Sequence, residues 1–362
     1  MRELRTAVAG EAPPTFIRCA KIKLTPRCNL RCLFCNYWTM NACPELGTAR
    51  WREVIAELAS LGCAKIHFSG GEPLLRSDVF ELLECCTAHG MRANLTTNGT
   101  LINQRDVAER LLATGVRSVS ISVDSPEPRL HDRIRGRRGA LKATLRGIEL
   151  LADVRARQRH RVSLRINTVL TRRNYTRLPE ILRLAGELGC QDVHPMPVDE
   201  RGPRRVRLSA GEIEEYNTYI APQVQDLRTR YGFPEAQLLV WPFGTTEADR
   251  KLSKHGCYAR RYYKRHLCYA PWLHTFIAWD GAVYLCCMAR GKTPPTGNVA
   301  GQRVAEVFTG QAYETIRGQF RVARPKVCRY CDNFILENQQ IEASLAPRSS
   351  SSAPAADAAP LV

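Results

Sequence analysis

Six alternations of a strand pattern with an amphipathic helix pattern fill the first 198 residues of the chain. Apolar or alternating runs fall at 22–25, 65–68, 92–96, 118–123, 162–169 and 192–197. Between them, apolar residues recur at helical spacing: Trp51, Val54, Ile55, Leu58 and Leu61; then 77–89; Val107, Leu111 and Leu112; Leu141, Leu145, Ile148 and Leu151; then 178–188. Ser77 is expected to cap the second helix and Gly90 to end it. Alternation of this kind requires parallel strands joined by right-handed crossovers. The fold class is therefore α/β, either an open doubly wound sheet or an incomplete barrel. In both, ligand chemistry gathers at the C-terminal ends of the strands.

The pattern changes after Arg207. Ser209-Ala-Gly-Glu212 reads as a capping box opening a linking helix over 208–233, through Ile213, Tyr216 and Ile220. Residues 234–345 form a second, smaller α+β unit, with a hairpin expected at Trp279-Asp280-Gly281. Residues 1–15 are expected to be flexible. The Ser/Ala/Pro-rich stretch 346–362 is expected to be a disordered tail.

No apolar run is long enough to span a bilayer, and the first fifteen residues hold no signal-peptide apolar region. A cytoplasmic protein with no membrane partner is expected. The 15 cysteines then read as metal ligands and buried apolar residues in a reducing compartment, rather than as disulfides. The formal charge is +18, but the arginines are dispersed over runs such as 133–138 and 201–207, without interleaved aromatics. Nucleic acid is therefore not the expected partner, and an anionic small molecule stays open.

Cys28, Cys32 and Cys35 follow the first strand in a C-x3-C-x2-C run. Three thiolates can hold a cube of four irons and leave one iron open for chemistry, whereas zinc prefers four ligands, often in C-x2-C pairs. Other polar residues mark the later strand ends. Ser69-Gly70-Gly71-Glu72-Pro73 follows the second strand and Thr97-Asn98-Gly99 the third. Ser122 and Asp124 close the fourth, Asn167 lies on the fifth and His194 on the sixth. Six polar strand ends on one rim describe a pocket.

Cys28, Cys32 and Cys35, with Phe34 before the last, and Gly70-Gly71-Glu72-Pro73 one strand later resemble the radical S-adenosylmethionine (SAM) enzymes. The resemblance runs from about Phe16 to Val198, and assigns 16–207 to the core. It implies a partial (β/α)6 TIM barrel. It also implies a 4Fe–4S cluster whose open iron binds SAM and yields a 5′-deoxyadenosyl radical. Phe34, Gly70, Gly71, Glu72, Pro73, Asn98, Ser122, Asp124 and Asn167 match cofactor-contact positions. Arg135 matches an arginine that pairs with the SAM carboxylate, a task suited to a guanidinium.

Cys268, Cys286, Cys328 and Cys331 resemble the twitch form of the SPASM auxiliary-cluster domain. Glu337 stands where the full pattern would carry a further cysteine, so one auxiliary 4Fe–4S cluster is expected. A four-cysteine zinc knot is the alternative. Cys257 and Cys287 in the same region are candidate hydrogen donors; His194 and Glu200 are candidate acid/base groups. The short auxiliary unit resembles that of aminocyclitol and aminoglycoside enzymes. The expected reaction is hydrogen abstraction from a sugar, aminocyclitol or nucleoside metabolite of specialised (antibiotic) biosynthesis, as a dehydrogenase, epimerase or lyase. A flavodoxin or ferredoxin is expected to reduce it. The alternatives are modification of a ribosomally made peptide and, from another class, a non-catalytic iron–sulfur or zinc nucleic-acid-binding protein.

Overall fold

The computed structural model describes residues 2–40, 43–199, 205–332 and 334–345. The six expected strands are present: β1 Cys19–Lys23, β2 Lys65–Ser69, β3 Arg92–Thr97, β4 Ser118–Ser122, β5 Ser163–Leu170 and β6 Asp192–Pro197. All pair in parallel in the order β6-β5-β4-β3-β2-β1. Their crossovers carry α2 Thr48–Ser60, α3 Val79–Ala88, α4 Arg105–Ala113, α5 Pro128–Arg135, α6 Ala140–Gln158 and α7 Leu178–Glu187. The chain opens with α1 Arg2–Ala9.

Each strand alternates between two environments, because successive side chains leave a strand on opposite faces. Ile22, Ile66, Phe68, Leu95, Val119, Ile121, Leu164, Ile166 and Val193 are fully buried, as are the helical apolar residues Trp51, Val54, Leu58, Leu82, Leu111, Ile148 and Leu151. This belt of apolar contact is the core. The intervening positions are polar: Lys21, Lys23, His67, Asn94, Thr96, Ser122, Arg165, Asn167 and His194. They give the other face of the sheet a charged lining.

The sheet does not stop at six strands. β7 His274–Ile277 pairs in parallel with β1, Cys19 opposite His274 and Ile22 opposite Ile277. β8 Ala282–Tyr284 turns back antiparallel after Asp280-Gly281, and β9 Gly297–Asn298 follows. The C-terminal unit is thus joined to the barrel through one continuous nine-stranded sheet.

Three local expectations change. Where a flexible N-terminus was expected, α1 packs down through Leu4 and Ala7, and its end accepts hydrogen bonds from Trp272 Nε1 (3.1 Å) and Arg321 Nε (3.0 Å). Ser77 does not cap α3. Asp78 occupies that position, and its carboxylate is spent on Arg76 (2.6 and 2.8 Å) and Thr48 (2.7 Å). The capping box at Ser209 and Glu212 forms and the linking helix runs on to Tyr231, but α8 Ala210–Glu215 and α9 Ala221–Tyr231 are joined through one widened turn at Tyr216–Ile220. Pro222 accounts for the widening, since it has no N–H to give to the preceding turn. Residues 346–362, expected as a tail, lie outside the described residues.

α9 is fastened to the barrel by a fully buried guanidinium. Arg228 donates to Asp192 Oδ1 and the Val193 carbonyl, both at 2.8 Å, and to the Pro234 carbonyl at 2.6 Å.

Candidate functional site

The loop after β1 is held by backbone contacts that leave no room for side chains. Gly71 N–H donates to the Thr25 carbonyl and Glu72 N–H to that of Arg27, both at 2.7 Å. A Cβ on Gly70 would lie 2.4 Å from the Thr25 oxygen, and one on Gly71 only 2.1 Å from the Arg27 oxygen. From the other side, Arg31 and Leu33 N–H donate to the Arg135 and Ile134 carbonyls at 3.1 and 2.9 Å. The paired glycines are therefore required first by the cysteine loop itself. Within that loop Cys35 N–H bonds the Cys32 carbonyl at 3.2 Å.

Beyond the loop lies a cavity of about 260 Å3. Cys28, Cys32, Phe34, Cys35, Gly70, Gly71, Asn98, Ser122, Arg135 and Asn167 all line it, so these expected residues converge. Three expected contact residues are not among its described lining. Glu72 is fully buried and spends its carboxylate on Thr97 Oγ1 (2.7 Å), Asn98 N–H (2.7 Å) and Leu74 N–H (3.1 Å). Pro73 is buried as the first residue of the following 3-10 turn. Asp124 lies behind Arg135, its Oδ2 2.7 Å from the guanidinium Nε and its Oδ1 accepting from Val169 N–H at 2.9 Å. Glu72 and Asp124 are thus positioning groups.

Arg135 is the main charge of the cavity. Burial opposes its cationic form, but Asp124 and Cys32 hold it above the ordinary arginine range. Its Nη1 is 3.8 Å from Cys32 Sγ and its guanidinium carbon 5.6 Å from the Phe34 ring centre. Asn98 is partly committed, because its amide bonds Asn29 Oδ1 at 2.8 Å and so braces the cysteine loop.

His194 sits on the lumen face of β6, two residues before cavity-lining Met196. Burial, reinforced by Arg165, pushes its pKa down to about 4. It is neutral at physiological pH and can accept a proton only under acid conditions. Glu200 lies outside the described residues. Sequence reasoning overlooked Lys23, Tyr37, Trp38, Thr96 and Val169 in the lining. Strand parity identifies three of them, since Lys23, Thr96 and Val169 share their faces with residues already singled out or with the lumen. Tyr37 and Trp38 carry no such signal.

Cys268, Cys286 and the Cys328/Cys331 pair come together from three segments of the C-terminal unit, close enough to raise one another's pKa. Burial pushes the thiols of Cys268, Cys286 and Cys328 up to about 12, and that of Cys28 likewise. Alone they stay protonated at neutral pH; a metal centre is what ionises such thiols.

Glu337 pairs instead with His274 Nε2 at 3.0 Å. Cys19 completes a group within 4.8 Å. Burial works against the Glu337 carboxylate, but the His274 hydrogen bond, with Lys65 and Arg18 nearby, holds its pKa at about 2. Cations of the chain already answer its charge.

The two expected hydrogen donors differ in place. Cys287 Sγ is 3.9 Å from Lys21 Nζ on β1 and packs beside Phe276, Trp279 and Tyr37. Cys257 follows the helix Glu247–Ser253, and its neighbour Tyr258 bonds the Val198 carbonyl at the end of β6. Tyr37 links the two halves, with its ring edge-on to Trp279 at 5.7 Å and Arg290 over both rings.

Residues 22–185 match the Radical SAM superfamily and residues 268–332 the SPASM iron–sulfur cluster-binding domain. Among curated proteins, the chain is 38% identical over 174 residues to the AdoMet-dependent heme synthase of Methanosarcina barkeri, covering 48% of each chain. It is 39% identical over 168 residues to the PqqA peptide cyclase of Xanthomonas axonopodis pv. citri, covering 46% of this chain and 43% of that one. The chain thus spans about half the length of the curated relatives it matches. In fold it is similar to Streptococcus suis SuiB bound to its precursor peptide SuiA, with a TM-score of 0.66 and 17% identity, over 91% of this chain and 74% of that one. The chain carries a radical SAM core and a C-terminal SPASM domain. These domains bring SAM, its 4Fe–4S cluster and an auxiliary cluster. The relatives are named for heme and peptide chemistry and lend no support to the expected sugar or aminocyclitol substrate. No helix among the described residues is long and apolar enough to cross a membrane.

Proposed function

We propose that this chain is a radical SAM enzyme that oxidises a carbon–hydrogen bond of a peptide, with an auxiliary iron–sulfur centre taking up one electron. One relationship carries the reading: the cavity and the auxiliary cysteines share a wall. Lys23 lines the cavity, while Lys21, two residues earlier on the same face of β1, contacts Cys287 beside Cys286. A substrate in the cavity would touch the Cys28/Cys32/Cys35 set and share the β1 wall with the segment that carries Cys286. The similarity to PqqA peptide cyclases supports a peptide over a sugar.

Cys28, Cys32 and Cys35 would hold the SAM-binding cluster, and Cys268, Cys286, Cys328 and Cys331 the auxiliary one. When bound, SAM and its cluster supply a hydrogen-abstracting 5′-deoxyadenosyl group, and the auxiliary cluster supplies a one-electron sink. Arg135, oriented by Asp124, offers its guanidinium edge to a carboxylate. Ser122, Asn98 and Asn167 offer hydroxyl and amide groups to the ribose and adenine. Phe34, Leu30 and Val169 provide apolar walls that keep water from the reacting carbon. A low-potential donor such as flavodoxin or ferredoxin would supply the priming electron.

A second reading rests on the charge of the lumen. Among the described residues, neither Lys21 nor Lys23 forms an ion pair with a carboxylate. Half-buried cations of this kind suit a carboxylate-bearing substrate, and the similarity to heme synthases favours a tetrapyrrole acid.

Anaerobic turnover with deuterated substrates decides between these. Peptide-dependent transfer of deuterium into 5′-deoxyadenosine, with loss of two hydrogens from the peptide, is the expected result. Transfer from a tetrapyrrole carboxylate alone would establish the second reading. Transfer from neither, with SAM cleavage intact, would refute both.

A further inference from the structure

The four auxiliary cysteines have a close cationic neighbour. Lys21 leaves β1 toward the lumen, and its Nζ lies 3.9 Å from Cys287 Sγ and 4.8 Å from the centre of the Phe334 ring. Cys287 directly follows Cys286, and Phe334 comes three residues after Cys331. The ammonium is thus wedged between the two segments that carry these thiols. Among the described residues, no carboxylate forms an ion pair with it. A desolvated cation requires an anion close by.

We propose that Lys21 sets the reduction potential of the auxiliary cluster, raising it so that the cluster accepts an electron from the substrate side. This rests on the reading that Cys268, Cys286, Cys328 and Cys331 hold a 4Fe–4S cluster. The physics is simple. A cluster with four thiolate ligands is an anion, and reduction adds one further negative charge without making or breaking a bond. A fixed positive charge nearby stabilises the reduced form more than the oxidised form. Net charge and contacts to the sulfurs are among the levers by which a protein tunes such a centre. His67, opposite Lys21 in the sheet, is held neutral by burial and by the lysines around it, with a pKa of about 3. Glu337 and Asp332 also feel the Lys21 charge, but the sulfurs of Cys287 and Cys331 weigh on Lys21 more than Glu337 does.

The test is a reductive titration of the reconstituted, full-length holoenzyme followed by electron paramagnetic resonance. The auxiliary signal is the one that SAM does not perturb. In Lys21→Met the auxiliary midpoint should move to more negative potential with iron content unchanged, and Lys21→Arg should restore it toward that of the unsubstituted protein. A Lys21→Met midpoint equal to that of the unsubstituted protein, at full iron loading, overturns the proposal. If Lys21→Met loses iron, Lys21→Gln and Lys21→Arg are titrated in its place. Equal midpoints for those two also overturn it, as does loss of the cluster in both neutral variants, which makes Lys21 a structural residue. If the unsubstituted protein binds only about four irons, the cluster reading has failed instead, a result distinct from an unshifted potential.

Discussion

Arg135 Nε lies 2.7 Å from Asp124 Oδ2, and the Asp124 carboxylate is completely buried. The pair joins the C-terminal end of β4 to the last turn of α5. It does so where the backbone of α5 also receives the cysteine loop. One ion pair thus fixes a cavity-lining guanidinium and the helix end against which the cysteine loop is placed.

Breaking it from one side should be expensive. Asp124→Asn leaves a buried guanidinium without its counter-ion, at a cost of about 3–5 kcal/mol. The expected result is a lower urea midpoint with weakened SAM binding by calorimetry. The double variant Asp124→Asn/Arg135→Met should recover much of the stability and none of the binding. Recovery of both would show that Arg135 does not hold SAM.

Gly71→Ala tests the origin of the glycine pair. Its Cβ would fall 2.1 Å from the Arg27 oxygen, whereas a Cβ on Gly301 meets nothing within 4 Å. Overpacking of this kind costs about 1–3 kcal/mol. Here the strain falls on the cysteine loop, so iron after reconstitution should drop by about half while the auxiliary centre persists. Gly301→Ala should leave iron and stability unchanged. Full iron loading in Gly71→Ala would separate the glycines from the loop.

Acid sensitivity follows from the neutral lumen histidines. The pKa of His194 is lowered by burial to about 4. Below the unfolded value of about 6.5, the unfolded chain takes up a proton that the folded chain refuses. Stability therefore falls as pH drops from about 6.5 toward 4, by up to about 1.4 kcal/mol per pH unit for this group. His194→Gln should flatten the loss in urea midpoint between about pH 7 and about pH 5.5. An unaltered slope would mean that His194 is solvated.

Removing Cys328 and Cys331 together should reduce iron from about eight to about four per chain. SAM cleavage by dithionite should survive, but uncoupled from product. Product at the level of the unsubstituted protein would exclude the auxiliary centre from the reaction.

Much of this was legible in the sequence because the relevant signals are local. The β1–β6 strands, the cysteine loop and the Gly-Gly turn are each written within a few residues. Asp124 and Glu72 were read as cofactor contacts because they match family positions at strand ends. Burial, which no single segment encodes, turns them inward to Arg135 and to Thr97 and Asn98. The role of Lys21 was not legible either. It depends on the approach of Cys287, 266 residues later in the chain. The packed helix α1 was missed for a similar reason, since eight residues with two buried apolar side chains take their order from Trp272 and Arg321.

The pairing of β7 with β1 has a further consequence for how the chain must be made. Until residues 274–277 emerge, the edge of Cys19–Ile22 has no partner. A barrel halted after β6 would present bare amide and carbonyl groups along β1, a template for association with other chains. Production of the first 207 residues alone should therefore yield aggregates, and the two iron–sulfur centres cannot be divided between separately expressed halves.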